Sequence, residues 1–201
     1  MKNLNIALPS VEEVEKYLCI WETADEYEKY RCQEKSVVMM FREKFPENTK
    51  IEETLVKVAV LNEFYRTSIL DIFSVALHIV DLNIDNMLAE EDIHVIDKIA
   101  RITIGGKEKH FYSFATKYCS HHQPDKFPIY DRLVSDLLIY FNSQEKFFTI
   151  ENAKNLRDYP TFKAAMNGFR TYFHLEKFTL KELDRYLWVL GRKIFSPKKE
   201  K

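Results

Sequence analysis

Lys117 and Asp131 are the two residues whose types and spacing suit chemistry. They sit in the stretch from Phe111 to Asp131, FYSFATKYCSHHQPDKFPIYD. A lysine amine is a nucleophile only when neutral, and a protein arranges this by desolvation or by a neighbouring cation. Phe111, Phe114, Ala115, Tyr118 and Cys119 surround Lys117 in sequence and supply apolar surface. Lys107 and Lys109 precede it and add cationic pressure. A carboxylate facing such an amine can accept protons and stabilise a positively charged sugar transition state. Asp131 is expected in the first turn of a helix, where the ionised carboxylate is favoured. Together the pair suits amine chemistry at a sugar carbon. The same residue types also serve ordinary roles, a solvated helical lysine and an N-terminal aspartate.

The elements that must hold these residues read as helices almost throughout. Ser10-Val11-Glu12-Glu13 and Thr179-Leu180-Lys181-Glu182 are capping boxes, and Thr23-Ala24-Asp25-Glu26 has the same form. The second helix is expected to run to about Lys44. A further helix starts near Ile51 and carries Leu55, Val58, Ala59 and Asn62 at helical spacing. The stretch from Ile69 to Val80 is apolar around most of its circumference and is expected to be the central helix. Gly105-Gly106 marks a turn. Lys107 to His122 is helical in pattern, and Pro128 is expected at the start of the next helix. Pro160 opens another helix. Ala100 to Gly105 is the one stretch that also fits a strand. The pattern predicts an all-α fold, a compact bundle of about nine or ten helices. It predicts one domain over residues 1–195, with two lobes meeting near 105, and a disordered tail over 196–201.

Composition narrows the classes. Hydrophobic residues make up 46% and aromatics 14%, enough for a sizeable core, while 4 glycines and 6 prolines are too few for a turn-rich barrel. Cys19, Cys32 and Cys119 are an odd, widely spaced set, which argues against a disulfide framework and for a reducing, cytoplasmic setting. No CxxC pair supports a zinc site, and no cofactor is expected. The N-terminus lacks a long apolar core, so no leader is expected, and no stretch is long enough to span a bilayer. A monomer is expected. The net charge of −1 conceals an asymmetry: residues 1–100 carry 11 Lys and Arg against 20 Asp and Glu, and the remainder 19 against 11. A basic half can bind a polyanion, or it can neutralise the acidic half.

The segment also resembles the core of the helix-hairpin-helix DNA glycosylases, especially the 8-oxoguanine DNA glycosylase branch. That family carries a hairpin of the form Leu-Pro-Gly-Val-Gly-x-Lys, a helix, then Pro-Val-Asp before another helix. Here the corresponding residues are Phe111-Tyr112-Ser113-Phe114-Ala115-Thr116-Lys117, then Pro128-Ile129-Tyr130-Asp131. The resemblance covers residues 105–140 and extends to Leu61-Asn62-Glu63-Phe64-Tyr65 and to Leu183-Asp184-Arg185-Tyr186-Leu187-Trp188. It implies that Lys117 is the nucleophile and Asp131 the catalytic aspartate. It also implies a double-stranded DNA partner with a damaged base, and a compact member of that all-α fold. The flipped purine would be expelled by amine attack on the sugar carbon, with a Schiff base and strand cleavage to follow. Ser113 and Ala115 stand where the family has glycines whose backbone approaches a phosphate. One extra residue separates Pro128 from Asp131.

The remaining candidates follow from this frame. Ser113, Phe114, Ala115 and Thr116 occupy the hairpin positions expected to meet DNA. Lys107, Lys109, His121, His122 and Arg132 are candidate phosphate contacts, which supply affinity without sequence preference. His121, His122 and Cys119 make a poor metal set, because adjacent helical histidines point about 100° apart. Asn62, Tyr65 and Trp188 are candidates for a base pocket, although aromatics at helical spacing are commonly core. Three functions are compatible with these residues: a glycosylase with lyase activity on an oxidised purine, a non-catalytic helical DNA-binding module, and an all-α protein-interaction or regulatory domain.

Overall fold

The computed structural model describes residues 6–149 and 156–195. The tail expected at 196–201 lies outside them, as do the first five residues of the segment read for a leader. In chain order the elements are α1 (Val11–Thr23), a 3₁₀ turn (Asp25–Tyr27), α2 (Glu28–Val38) and a π-helical turn (Met39–Lys44). Next come α3 (Ile51–Tyr65), α4 (Ile72–Leu82), α5 (Asp85–Ala89) and α6 (Val95–Ala100). Then follow β1 (Arg101–Ile104), β2 (Lys107–His110), α7 (Tyr112–His122), α8 (Arg132–Glu145), α9 (Tyr159–Tyr172) and α10 (Leu180–Phe195). The chain is thus mostly helical, as its patterning predicts. It forms two compact units. One holds the described residues of Met1–Tyr27 and Asp131–Lys201, and the other is Glu28–Tyr130.

In the first unit, α10 packs against α1 and α8. Its buried Leu183, Tyr186, Leu187 and Leu190 follow helical spacing, which makes one apolar stripe. Ser10 caps α1 by accepting from the Glu13 N–H at 3.2 Å. Thr179 and Glu182 form a full reciprocal box: the Thr179 N–H donates to Glu182 Oε2 at 2.8 Å, and the Glu182 N–H donates to Thr179 Oγ1 at 3.2 Å. Asp158 caps α9, with Pro160 in its first turn.

In the second unit, α3 packs on α4 and α7, and α6 on α7. β1 and β2 pair antiparallel, from Arg101 opposite His110 to Ile104 opposite Lys107. Gly105 and Gly106 form the tip with φ of 55° and 74°, a left-handed backbone that glycine adopts without penalty.

Four expectations are corrected. Lys107–His110 is a strand, because the two-glycine turn returns the chain along β1. Thr23 does not cap a helix: its hydroxyl donates back to the Cys19 carbonyl at 2.8 Å. Pro128 lies in a loop, and Asp131 is the N-cap of α8. Ile69–Val80 is not a uniformly buried central helix, since α4 starts only at Ile72 and exposes Phe73 and Leu77. No helix among the described residues is long and apolar enough to cross a membrane.

Candidate functional site

Helix α7 carries Ser113, Thr116 and Lys117 at i, i+3 and i+4, so they share one face. That face grips the end of the loop that follows the helix. The Lys117 Nζ donates to Ser113 Oγ at 2.6 Å, to the Tyr130 carbonyl at 3.3 Å and to the Ser113 carbonyl at 3.4 Å. The Tyr130 N–H donates to Thr116 Oγ1 at 3.1 Å, and Ser113 Oγ donates to the Tyr130 carbonyl at 3.2 Å. Both backbone groups of Tyr130 are therefore satisfied by α7 side chains. The Tyr112 and Tyr130 rings add a tilted contact with centroids 4.8 Å apart.

Lys117 is 5% exposed, and its amine lies 5.4 Å from the centre of the Tyr65 ring. The Tyr65 hydroxyl is 2.8 Å from His121 Nε2. Thus Lys117, Ser113, Tyr65 and His121 form one constellation in the second unit. A buried lysine amine needs acceptors for its N–H groups on several sides. Here a hydroxyl, two carbonyls and an aromatic face supply them.

A second buried lysine was not flagged by sequence reasoning. Lys57 on α3 is fully buried, and its Nζ donates to Asn48 Oδ1 at 2.6 Å, the Glu47 carbonyl at 2.8 Å and the Phe45 carbonyl at 3.1 Å. The two carbonyls belong to the loop that leaves the π-helical turn, so the amine acts as a cap for that end. Asn48 Oδ1 also accepts from the Tyr118 hydroxyl at 2.5 Å and faces His122 Nε2 at 3.2 Å. The amide and backbone N–H of Asn48 donate to the Asp85 carboxylate. Burial pushes the Lys57 amine down to about 8, against the opposing pull of Asp85 and Glu53. Burial, then the charges of Lys57 and Arg42, push the His122 imidazole down to about 3. Burial raises the Tyr118 hydroxyl well above its usual range. One signal could have found this hub: Thr54, Lys57, Val58 and Leu61 lie at the 3–4 spacing of the buried stripe of α3.

The other candidates divide between the units. Asp131 belongs to the first, where it caps α8 by accepting from the Leu133 N–H at 2.8 Å. Arg132, exposed, and Trp188 are also in the first unit. Trp188 stacks edge-on against Trp21 and Tyr27, with Arg192 5.0 Å over its ring, so its faces serve an aromatic cluster. Phe114, Ala115 and Thr116 are buried within α7, where the Ala115 N–H donates to the Phe111 carbonyl at 3.0 Å. Ser113 is spent on Lys117 and Tyr130. His121 is buried, and His122 is bound into the Asn48 hub. Lys107 and Lys109 are exposed on β2. Asn62 holds the α3–α4 loop rather than facing a cleft: it accepts from the Ile69 N–H at 3.0 Å and Thr67 Oγ1 at 2.9 Å, and donates to the Ile69 carbonyl at 2.9 Å. Among the described residues, no cluster of three or more His, Cys, Asp or Glu is arranged to hold a metal.

The fold and site define a mostly helical protein whose buried lysine clamps a helix to its own following loop. The sequence model HI_0787_N, described as an N-terminal domain, matches residues 13–126. A Haemophilus influenzae protein described as uncharacterized is 45% identical over 154 residues, which cover 76% of this chain and 73% of that relative. The chain belongs to the HI_0787 N-terminal domain family. Neither description names an activity. No solved structure matches the chain.

Proposed function

We propose that the chain is a DNA base-excision glycosylase with lyase activity that removes an oxidised purine. One observation carries this reading: the Lys117 amine is buried and bonded to the carbonyl of Tyr130, the residue that precedes Asp131 in the chain. The order helix, lysine, short proline-containing loop and helix-capping aspartate is the one the glycosylase resemblance calls for. The Lys117 lone pair attacks the sugar carbon, and the glycosidic bond breaks with its electron pair leaving on the base. Proton loss and ring opening give a Schiff base, and β-elimination cleaves the strand. Asp131 stabilises the positive charge that develops on the sugar.

Borohydride reduction in the presence of an 8-oxoguanine duplex tests this. Wild-type protein is expected to become covalently trapped on the DNA, and Lys117→Ala is expected to abolish trapping while keeping its helical circular dichroism. Absence of an adduct with any oxidised-base duplex, or an adduct that survives in Lys117→Ala, sinks the reading.

The continuity of α7 favours a second reading, a non-catalytic helical DNA-binding module. Residues 113–116 form helix where the resemblance calls for a hairpin. Salt-dependent duplex binding without trapping would select it.

A further inference from the structure

The α3–α4 corner of the second unit displays apolar side chains that nothing in the fold requires to be outside. Leu70 is 99% exposed, Phe73 54% and Leu77 42%. Phe73 and Leu77 lie one turn apart on α4, and Leu70 stands in the loop just before its cap. Such exposure of adjacent large apolar groups marks an interaction surface more often than it marks an accident.

The loop is built to keep Leu70 where it is. Asn62 binds both backbone groups of Ile69, as described above, and Ile69 itself is buried. On the other side, Asp71 accepts from the Ser74 N–H at 3.0 Å and from Ser74 Oγ at 2.7 Å. Arg66 and Ser68 adopt positive φ of 49° and 61°, a conformation that non-glycine residues take only when their surroundings impose it. Leu70 therefore projects from a backbone fixed on both flanks. A preorganised apolar anchor loses little freedom on binding.

The charge along this stretch is predominantly negative. Residues 51–97 hold ten Asp and Glu against two Lys and Arg; Lys57 is buried, and Arg66 is exposed at the end of α3. Glu63 and Asp81, on α3 and α4, are exposed. A surface of this sign repels nucleic acid. Its complement is an apolar stripe flanked by lysines and arginines.

We infer that the Leu70–Phe73–Leu77 ridge is a docking site for a cationic amphipathic helix of a protein partner. The apolar stripe of that helix packs over the ridge, and its basic flanks meet the surrounding carboxylates. This inference is independent of the glycosylase reading.

The probe is a fluorescein-labelled helical peptide made only of Leu and Lys, with Leu on one stripe. A peptide of the same design with Glu for Lys is the control. Fluorescence anisotropy with the full chain is expected to show saturable, salt-sensitive binding of the Leu/Lys peptide alone. Leu70→Ser, which touches no packing, is expected to weaken binding about tenfold with unfolding temperature unchanged. Adding Phe73→Ser is expected to weaken it further. Equal affinity for wild type and both variants overturns the inference, as does equal binding of the Glu peptide. Self-association of the wild type that Leu70→Ser removes also overturns it, because the occupant would then be a second copy of this chain.

Discussion

Replacing Lys57 with methionine keeps most of the side-chain volume and removes the amine from the Asn48 hub. Three acceptors then lose a donor: Asn48 Oδ1, the Glu47 carbonyl and the Phe45 carbonyl. Asn48 Oδ1 keeps Tyr118. The two carbonyls and the strain of reorganising the loop set a loss of about 2–4 kcal/mol near neutral pH. The pH dependence is the sharper part. The amine is pushed from its ordinary 10.5 down to about 8 in the folded protein. Between those values the unfolded chain binds the proton more strongly, so wild-type stability rises with pH across this window. Well below pH 8 the lysine is charged in both states and the slope vanishes. From pH 8 to pH 9.5 the gain integrates to about 1–2 kcal/mol. Methionine has no such proton, and the other titrating groups are shared. The stability gap between wild type and Lys57→Met should therefore widen by about that amount between pH 8 and 9.5. Urea unfolding of both proteins at the two pH values measures it. The window stops short of 10, where unfolded tyrosines ionise and Tyr118, held protonated by burial, begins to oppose the trend. A constant gap would show that burial does not depress the amine. A narrowing gap would show that the three-acceptor cradle holds the ammonium better than water does, and would refute the reasoning.

Two further outcomes follow from packing. Cys19 and Cys32 are exposed, whereas Cys119 is fully buried and its thiol is pushed far up by burial. A thiol-specific disulfide reagent should titrate two sulfhydryls in the native protein and the third only after unfolding; three fast equivalents would contradict this placement. A Cβ on Gly191 would come within 2.8 Å of Leu133 Cβ, where α10 crosses α8. Gly191→Ala gains about 1 kcal/mol of helix propensity but incurs an overpacking cost of about 1–3 kcal/mol, so a net loss of order 1 kcal/mol is expected. A urea midpoint equal to or above wild type would show that the two helices separate freely.

The helices were legible because their signals are local. The Ser10 cap, the Thr179–Glu182 box and the Asp158–Pro160 start each involve residues within three positions of one another. The hairpin was misread for the same reason. Lys107-Glu108-Lys109-His110 is polar and helix-compatible, and only pairing with Arg101–Ile104 makes it a strand. Lys57 escaped because a lysine scores as a surface residue, and what buries it is distant in sequence. Its partner Asn48 is bound by Tyr118, 70 positions away, and by Asp85, 37 positions away. The lysine and aspartate of the candidate site were found by type and by the proline break between them. The loop's attachment to α7 through Thr116 and Ser113 had no sequence signature.

The departure from the glycosylase pattern at Ser113 has a chemical consequence. A glycine there could offer Lys117 no side chain, whereas the serine hydroxyl accepts from the amine at 2.6 Å. The same hydroxyl donates to the Tyr130 carbonyl, so one residue ties both the amine and the loop. On the glycosylase reading, the amine must leave this cradle to reach a sugar carbon, and the cost of leaving falls on Ser113. Two buried lysines can then be told apart by their surroundings. Lys57 sits among loop carbonyls and an asparagine that also serves Tyr118 and Asp85, so moving it dismantles a hub. Lys117 is held by Ser113 of α7, by the carbonyl at the end of its own loop and by the Tyr65 ring of α3. On the glycosylase reading, Lys117 is the reacting lysine, because moving Lys57 would dismantle the Asn48 hub.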